Sequence, residues 1–319
     1  MGQPDLTLRL QPRGKPLPNL PGEITVPADA SIDAVYDAVA RKTKYPVHRL
    51  RITRSDSSHL QRSSSTTVTA ANLFDGSSLF IKDLGPQIGW RTTYIIEYLG
   101  PLLIHPLTLY LLRPFLYTYL PYPPPPLATT HASASTTPPT RAQTTLCAMI
   151  TLHYIKRELE TIFVHRFSAA TMPATNLIKN SAYYWSLGGL LLAYTLYYPT
   201  AADTADYLYY PGLALWIFAE LSNFSTHMTL RGLRRPGSRD RGIPTGYGFS
   251  TVTCPNYSFE VLGWFAVAAV AGGSLPALGF ALFGAVVQAN WAGMRERRYR
   301  KEFGDKYKKK KWVLIPFVV

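Results

Sequence analysis

Two hydrophobic patterns divide this chain. Residues 1–85 are polar and carry short alternating runs, whereas most of the apolar content lies after residue 88 in longer blocks. In the polar part, "LTLRLQP" and "EITVP" alternate apolar and polar positions, as half-buried strands do. "SIDAVYDAVARKT" comes next, with Ser31 placed as an N-cap and Ile32, Val35 and Val39 at helical spacing. "HRLRITR" and "SLFIKDL" read as two further strands. The order strand, strand, helix, strand, strand predicts a small β-grasp (ubiquitin-like) α+β domain over residues 1–85, placed in the cytosol. No terminal Gly-Gly closes it, so conjugation is not implied; docking or stability is the plain role for such a module.

A helix needs about 20 mostly apolar residues to span a bilayer. Such stretches fall near 89–110, 145–167, 183–199, 208–228, 257–272 and 275–293, the last two joined by the tight turn "GGSLP". Residues 86–319 are therefore expected to form an α-helical polytopic membrane bundle of about six transmembrane helices. Within it, residues 121–146, which open with "PYPPPPLATTHASASTTPPT", read as a flexible Pro/Ser/Thr-rich connector.

Charge sets the expected orientation. "RGLRRPGSRDRG" carries five Arg and one Asp, and "MRERRYRKEFGDKYKKKKW" carries ten Lys or Arg against three acids. The loop "TAADTAD" has no basic residue, and 111–145 has only Arg113 and Arg141. Positive loops stay cytosolic, so both termini are placed there and the span count is even. The net charge of +14 calls for anionic partners. Because the basic residues cluster beside spans, lipid heads or cofactor phosphates explain them better than nucleic acid. Cys147 and Cys254 fall in different settings, which excludes a secreted disulfide framework. No apolar h-region opens the chain, so no cleavable signal peptide is expected.

The chemistry sits where charges interrupt apolar segments. In "LHYIKRELETIFVHRF" (152–167), a 100° winding gathers Leu152, Ile155, Leu159, Ile162 and Phe163 on one stripe. Tyr154, Glu158, Thr161 and His165 fall opposite, with His153, Lys156, Arg157 and Glu160 between. Ionisable groups at membrane depth are costly unless paired or wetted, so the broad polar face should look into a cavity. Mutual ion pairing, such as Lys156 with Glu160, is the competing explanation. Glu97 stands alone in "YIIEYLGP". Asn223, His227 and Arg231 recur every fourth residue in "ELSNFSTHMTLRGLRRPG", with Arg234 on the adjoining turn. Asn256, Tyr257 and Glu260 in "CPNYSFEV", and Arg295 with Tyr299, fall at the same depth. A polar stripe descending into an Arg-rich mouth suits a ligand with several phosphates. No G-x-G-x-x-G after a strand, P-loop, G-x-S-x-G elbow or metal-ligand spacing is present, so a dinucleotide would have to be held by helices and polar side chains, and no metal is expected.

At these residues the chain resembles a known family. "GPQIGWRTTYIIEYLGP", "HYIKRELETIFVHRFSAATMP", "NFSTHMTLRGLRRPGS", "CPNYSFEV" and the ending "IPFVV" are similar to the very-long-chain trans-2-enoyl-CoA reductases of the steroid 5-alpha-reductase superfamily. The resemblance covers nearly the whole chain. It implies a multi-pass enzyme of the endoplasmic reticulum membrane. Such an enzyme uses NADPH for the last reduction of the fatty-acid elongation cycle, making very-long-chain products of the kind used in sphingolipid metabolism. It implies an acyl-CoA substrate, membrane lipid as surroundings and other elongation enzymes as partners. By resemblance, Tyr154 matches the superfamily's active-site tyrosine and Glu97 an acidic position facing it. Lys156 and Tyr257 match positions needed for activity, which makes Tyr154, Tyr257, Lys156 and Glu97 the catalytic candidates. Asn223, His227, Arg234, Asn256, Tyr257, Glu260 and Tyr299 fall where NADPH is held. Arg231 and Arg295 join them on spacing. His227 stands where steroid reductases carry a carboxylate. The other readings are a reductase of a sterol or polyprenal enone, a membrane methyltransferase, and a non-enzymatic adaptor acting through the front domain.

Overall fold

The computed structural model describes residues 4–120, 137–167, 170–200, 202–234 and 242–318. It is mostly helical, with a strand-containing region at the N-terminal end. The elements are β1 (Asp5–Pro12), β2 (Glu23–Pro27), α1 (Ile32–Thr43), β3 (Leu50–Arg54), β4 (Ser78–Asp83), β5 (Gln87–Gly89), α2 (Trp90–Leu107), α3 (Arg113–Tyr119), α4 (Arg141–Leu159), β6 (Thr171–Pro173), α5 (Thr175–Ala182), α6 (Leu192–Leu196), α7 (Asp206–Gly232), α8 (Pro255–Val270) and α9 (Leu275–Phe303). π-helical turns at Thr108–Leu112, Glu160–Val164 and Tyr183–Leu191 continue or join helices. The contacts divide the chain into two compact units, Met1–Trp90 with Ala169–Leu177, and Arg91–Ser168 with Ile178–Val319.

In the first unit the strand order is β2-β1-β4-β3. β1 runs antiparallel to β2 (Leu8 opposite Ile24) and parallel to β4 (Leu10 opposite Leu79), and β3 pairs antiparallel with β4 (Ile52 opposite Ile81). Period-2 alternation puts Leu8, Leu10, Ile24, Val26, Ile52, Leu79 and Ile81 on one buried face. Against it α1 lays Ile32, Val35, Tyr36 and Val39. Ser31 caps α1 by accepting from the Ala34 N–H, and Lys44 ends it in the left-handed region (φ 60°). The buried Tyr36 hydroxyl donates to the Leu60 carbonyl (2.8 Å) and accepts from the Ile52 N–H (3.2 Å), so its polar tip is satisfied. β5 and β6 form a separate antiparallel pair.

The second unit carries the long helices. Two stretches, Trp90–Tyr119 and Leu275–Lys306, are long and apolar enough to cross a membrane (mean hydropathy 1.5 and 1.3). The other expected spans are helical but fall outside that measure. α4 carries Lys156, Arg157 and Glu158, α7 carries Asp206, Glu220 and Arg231, and α8 has only 16 residues. Most of the expected connector, 121–136, lies outside the described residues. Its end needs correction, because α4 starts at Arg141. Thr140 and Gln143 form a reciprocal capping box there, the Thr hydroxyl bonding the Gln143 N–H and the Gln side chain the Thr140 N–H (both 3.2 Å). Gln143 also donates to the carbonyls of Leu196 (3.1 Å) and Tyr198 (2.7 Å), and Arg113 Nε to that of Tyr197 (3.0 Å). These side chains satisfy the orphan carbonyls at the end of α6.

α7 and α8 approach closely because Gly212 lacks a side chain. A Cβ there would lie 2.9 Å from Val270 Cγ2 and 3.2 Å from Ala269 Cβ. Leading into α8, Gly248 adopts φ +75° and a Cβ would stand 2.5 Å from that of Pro255, so both conformation and space require glycine. Large apolar side chains stay exposed on the outer faces: Leu152, Ile155, Leu159, Ile162 and Phe163 from α4 and its π turn, and Phe218, Leu221 and Phe224 from α7. The α4 set is the one its periodicity groups.

In the second unit, Gly212→Val should lower the unfolding midpoint in detergent, because overpacking costs about 1–3 kcal/mol; an unchanged midpoint would show that α7 and α8 separate freely. In the first unit, Arg49 grips Asp83 through two bonds (3.0 and 2.6 Å) and holds its carboxyl below the usual range. A lowered carboxylate pKa gives stability that is present above the unfolded value, about 4, and lost as pH falls through the folded one. Asp83→Asn should weaken amide protection of β3 and β4 at neutral pH by less than about 1 kcal/mol, since the pair is partly exposed. The difference from the parent should vanish in acid.

Candidate active site

The polar flank of α4 is turned toward α7 and α8, and the groups meet in pairs. His153 Nδ1 lies 2.7 Å from Glu220 Oε1, and its Nε2 lies 3.3 Å from Glu260 Oε1. Lys156 Nζ is 2.7 Å from Glu220 Oε2 and 2.6 Å from Asn223 Oδ1, with Glu160 farther away at 3.7 Å. Arg157 reaches Glu160 Oε2 (2.6 Å) and donates to the Tyr98 hydroxyl (3.0 Å). His227 Nδ1 is 2.9 Å from Glu160 Oε1. Asn223, oriented by Lys156, donates through Nδ2 to the Asn256 carbonyl (2.8 Å) and more weakly toward Glu260 (3.4 Å).

The charges close. Two carboxylates flanking both ring nitrogens of His153 call for two N–H donors, the imidazolium form. That ring, Lys156 and Arg157 balance Glu160, Glu220 and Glu260. His227 needs one N–H and serves neutral. Beside this network Ile150, Trp216, Gly263, Trp264 and Val267 pack with His153, Glu220 and Glu260 around a crevice too narrow for a water molecule.

Tyr154 projects from the same helix into an aromatic surround. Its ring centroid lies 6.1 Å from that of Tyr98, 6.3 Å from Trp264 and 5.0 Å from the His153 ring. The side chain is 1% exposed, yet its hydroxyl has no hydrogen-bond partner among the described residues. Other buried oxygens share that condition, among them Glu97 Oε1, Asn256 Oδ1, Ser181 Oγ and Gln288 Oε1. Glu97 bonds to Asn180, and no hydrogen bond joins it to Tyr154 among the described residues.

Toward the ends of α7 and α9 the site becomes basic. Arg295 Nη2 donates to the Tyr257 hydroxyl (3.3 Å), with its guanidinium 5.4 Å from the ring centroid. Tyr299, one turn on from Arg295, packs its ring against Tyr307 (5.4 Å). Arg234 donates to the Arg166 carbonyl. Burial, then the neighbouring Arg298 and Arg295, pull its guanidinium below the ordinary value. Arg231 and Arg234 have no carboxylate ion pair among the described residues. The chain's end packs against this region. The carboxylate of Glu296 accepts from Thr253 and Tyr307 (both 2.6 Å), and backbone bonds join Thr253 to Trp312 and Cys254 to Val313.

Glu160, His165 and His227 present ligand atoms within 4.8 Å of one another. Arg157 and Lys156 already neutralise the single carboxylate there, so the set does not fit a divalent cation.

The structure thus joins Lys156, Asn223, Asn256 and Glu260 in one network, pairs Tyr257 with Arg295, and ties His227 to Glu160. Arg231 stays apart from it. Sequence reasoning did not name Glu220 and His153 as site residues. The signal was present: Glu220 is a carboxylate in an apolar run, three residues before Asn223 on the same face. Glu220→Leu should lower unfolding free energy in detergent by about 3–5 kcal/mol, because it strips two buried cations of a shared counter-charge. A shift under about 1 kcal/mol would mean the pairs are solvated.

Comparison with known proteins gives the relatives of the chain. Residues 170–319 match the family model described as 3-oxo-5-alpha-steroid 4-dehydrogenase. A Schizosaccharomyces pombe protein named as an enoyl reductase is 40% identical, over 98% of this chain and 99% of its own length. The very-long-chain enoyl-CoA reductase of Dictyostelium discoideum is 36% identical over 93% and 95%. A Caenorhabditis elegans protein named probable very-long-chain enoyl-CoA reductase is 39% identical over 76% and 75%. With likeness of that extent over nearly the whole chain, the protein belongs to the very-long-chain enoyl-CoA reductase family.

Proposed function

We propose that this protein reduces the C2=C3 double bond of long-chain and very-long-chain trans-2-enoyl-CoA to the saturated acyl-CoA with NADPH, as the last step of the fatty-acid elongation cycle. In this reading residues 86–319 form a six-span reductase domain in the endoplasmic reticulum membrane. Both termini face the cytosol, and residues 1–85 form a β-grasp domain ahead of it. The β2-β1-β4-β3 order with one packed helix supports the second assignment. The exposed apolar stripes of α4 and α7 support the first.

The observation that carries the reading is the Tyr154 hydroxyl, fully buried and unpartnered. A buried donor left unmade costs about 1–3 kcal/mol, so a group in this state calls for a ligand or a task. The donor set also fits a dinucleotide. Arg231 and Arg234 are cations without a carboxylate ion pair among the described residues, and Asn256 Oδ1 is an acceptor without a bond there.

Bound NADPH supplies a hydride for C3 of the substrate. The protein's part is then to stabilise the enolate charge on the thioester oxygen and to deliver a proton to C2. Tyr154 is the proton donor, with Tyr257 the second candidate. Tyr257 stands against Arg295, which stabilises a tyrosinate-like charge. Lys156 does not face the substrate in this reading. Its ammonium is taken by Glu220 and Asn223, so it holds Asn223 and, through it, the start of α8. Glu97 offers one free oxygen to orient the bound pair. The acyl chain, being apolar, leaves the polar centre between helices, while the CoA phosphates meet the arginines.

Tyr154→Phe should lower kcat with a long-chain enoyl-CoA by about 10²–10⁴-fold while NADPH binding, read by its fluorescence, persists. Near-normal turnover in a folded variant would remove Tyr154 as donor. Arg234→Ala should weaken NADPH more than NADH; equal losses would deny it a role in reading the extra phosphate. A steroid enone turned over in preference to the enoyl-CoA would overturn the substrate assignment.

A further inference from the structure

His105 lies in the apolar run "PLLIHPLTL" of α2 and is wholly buried. An imidazole in such surroundings is costly unless hydrogen-bonded. Both nitrogens are used. Nε2 is 2.9 Å from the Gly188 carbonyl and Nδ1 is 2.7 Å from the Tyr197 hydroxyl. A carbonyl can only accept, so Nε2 carries the hydrogen and Nδ1 accepts from Tyr197. One tautomer and one ring orientation satisfy both partners. Tyr197 is fixed in turn, its backbone carbonyl held by Arg113 and its ring set edge-on to His105.

The far end of this chain of bonds touches the site. Gly188 belongs to the π-helical stretch Tyr183–Leu191, a winding that is rare and often found at functional sites. A Cβ on Gly188 would lie 3.1 Å from the Tyr154 hydroxyl and 3.4 Å from Phe280 Cζ. On the next residue, Gly189, it would lie 2.8 Å from Ile104 Cδ1. The two glycines therefore let the π stretch sit flush against α2 and α4, with bare backbone forming the wall that the hydroxyl faces. Because that hydroxyl has no bond of its own, only packing places it. Whatever fixes Gly188 fixes the space it occupies.

We propose that His105 is a positioning residue for Tyr154: by holding the Gly188 carbonyl, with Tyr197 holding His105, it fixes the glycine wall against which the hydroxyl is placed. The proposal rests on Tyr154 as the proton donor. His105 moves no proton itself and touches neither substrate nor cofactor.

The test is a double-mutant cycle in the full-length, detergent-solubilised protein, with His105→Ala, Tyr154→Phe and both together. His105→Ala should lower kcat about 10–100-fold, the scale of a 1 Å misplacement, with the KM for NADPH within about twofold. His105→Gln, which can donate and accept at the same places, should recover most of the loss. In the Tyr154→Phe background His105→Ala should cost nothing further. Equal losses in both backgrounds, or a loss confined to the KM for NADPH, would overturn the proposal. Should His105→Ala fail to fold, Tyr197→Phe removes only the hydroxyl and should lower kcat in the same direction; unchanged kcat there also overturns it. If Tyr154→Phe alone turns over normally, it is the donor assignment that falls, a result distinct from additivity in an inactive Tyr154→Phe background.

Discussion

Three carboxylates and three cations, buried or half-buried between α4, α7 and α8, are the constraint around which the second unit is built. Glu160, Glu220 and Glu260 could not be taken out of water singly, nor could Lys156, Arg157 and the His153 ring. Taken together they neutralise one another, and each pair spans two elements. Glu220 joins α7 to two residues of α4, Glu260 joins α8 to α4, and Glu160 joins its π turn to His227 on α7. Breaking any one leaves a charge stranded. The network thereby fixes register between helices whose apolar contacts alone would tolerate sliding.

That fixed frame permits the unusual state of Tyr154. A buried hydroxyl with no partner survives only where the surrounding structure over-determines it. Here aromatic rings, the His153 edge and a glycine-lined π stretch confine it. The polar network lies alongside, and it orients Asn223 and the start of α8, where Asn256 keeps a free acceptor. One region of the helical unit is thus saturated with internal pairs and another carries open hydrogen-bonding capacity. The first gives rigidity, and in the proposed reading the second receives the ligands.

The charges also account for the hydropathy. α4 and α7 face outward with leucine, isoleucine and phenylalanine, yet their inward faces carry the ionisable groups of the site. Averaged over their length they fall short of the apolar character that α2 with α3, and α9, show. A mean along the chain cannot distinguish charge pointed at solvent from charge pointed at a partner.

The sequence alone determined the local events. Alternation placed β1 through β4, Ser31 and the spacing after it placed α1, and the lipid-like stripe of α4 came from a 3.6-residue period, because each depends on neighbours a few residues apart. The recurrence of Asn223, His227 and Arg231 along one helix was legible for the same reason. Only the tertiary structure decided which residues meet across helices. It assigned Lys156 to Glu220 rather than chiefly to Glu160, gave His153 two carboxylates 67 and 107 positions away, and set Gly188 against Tyr154. Such pairings depend on how helices cross and on which small residues let them approach. That information is spread over the whole packing and is carried by no single stretch of sequence.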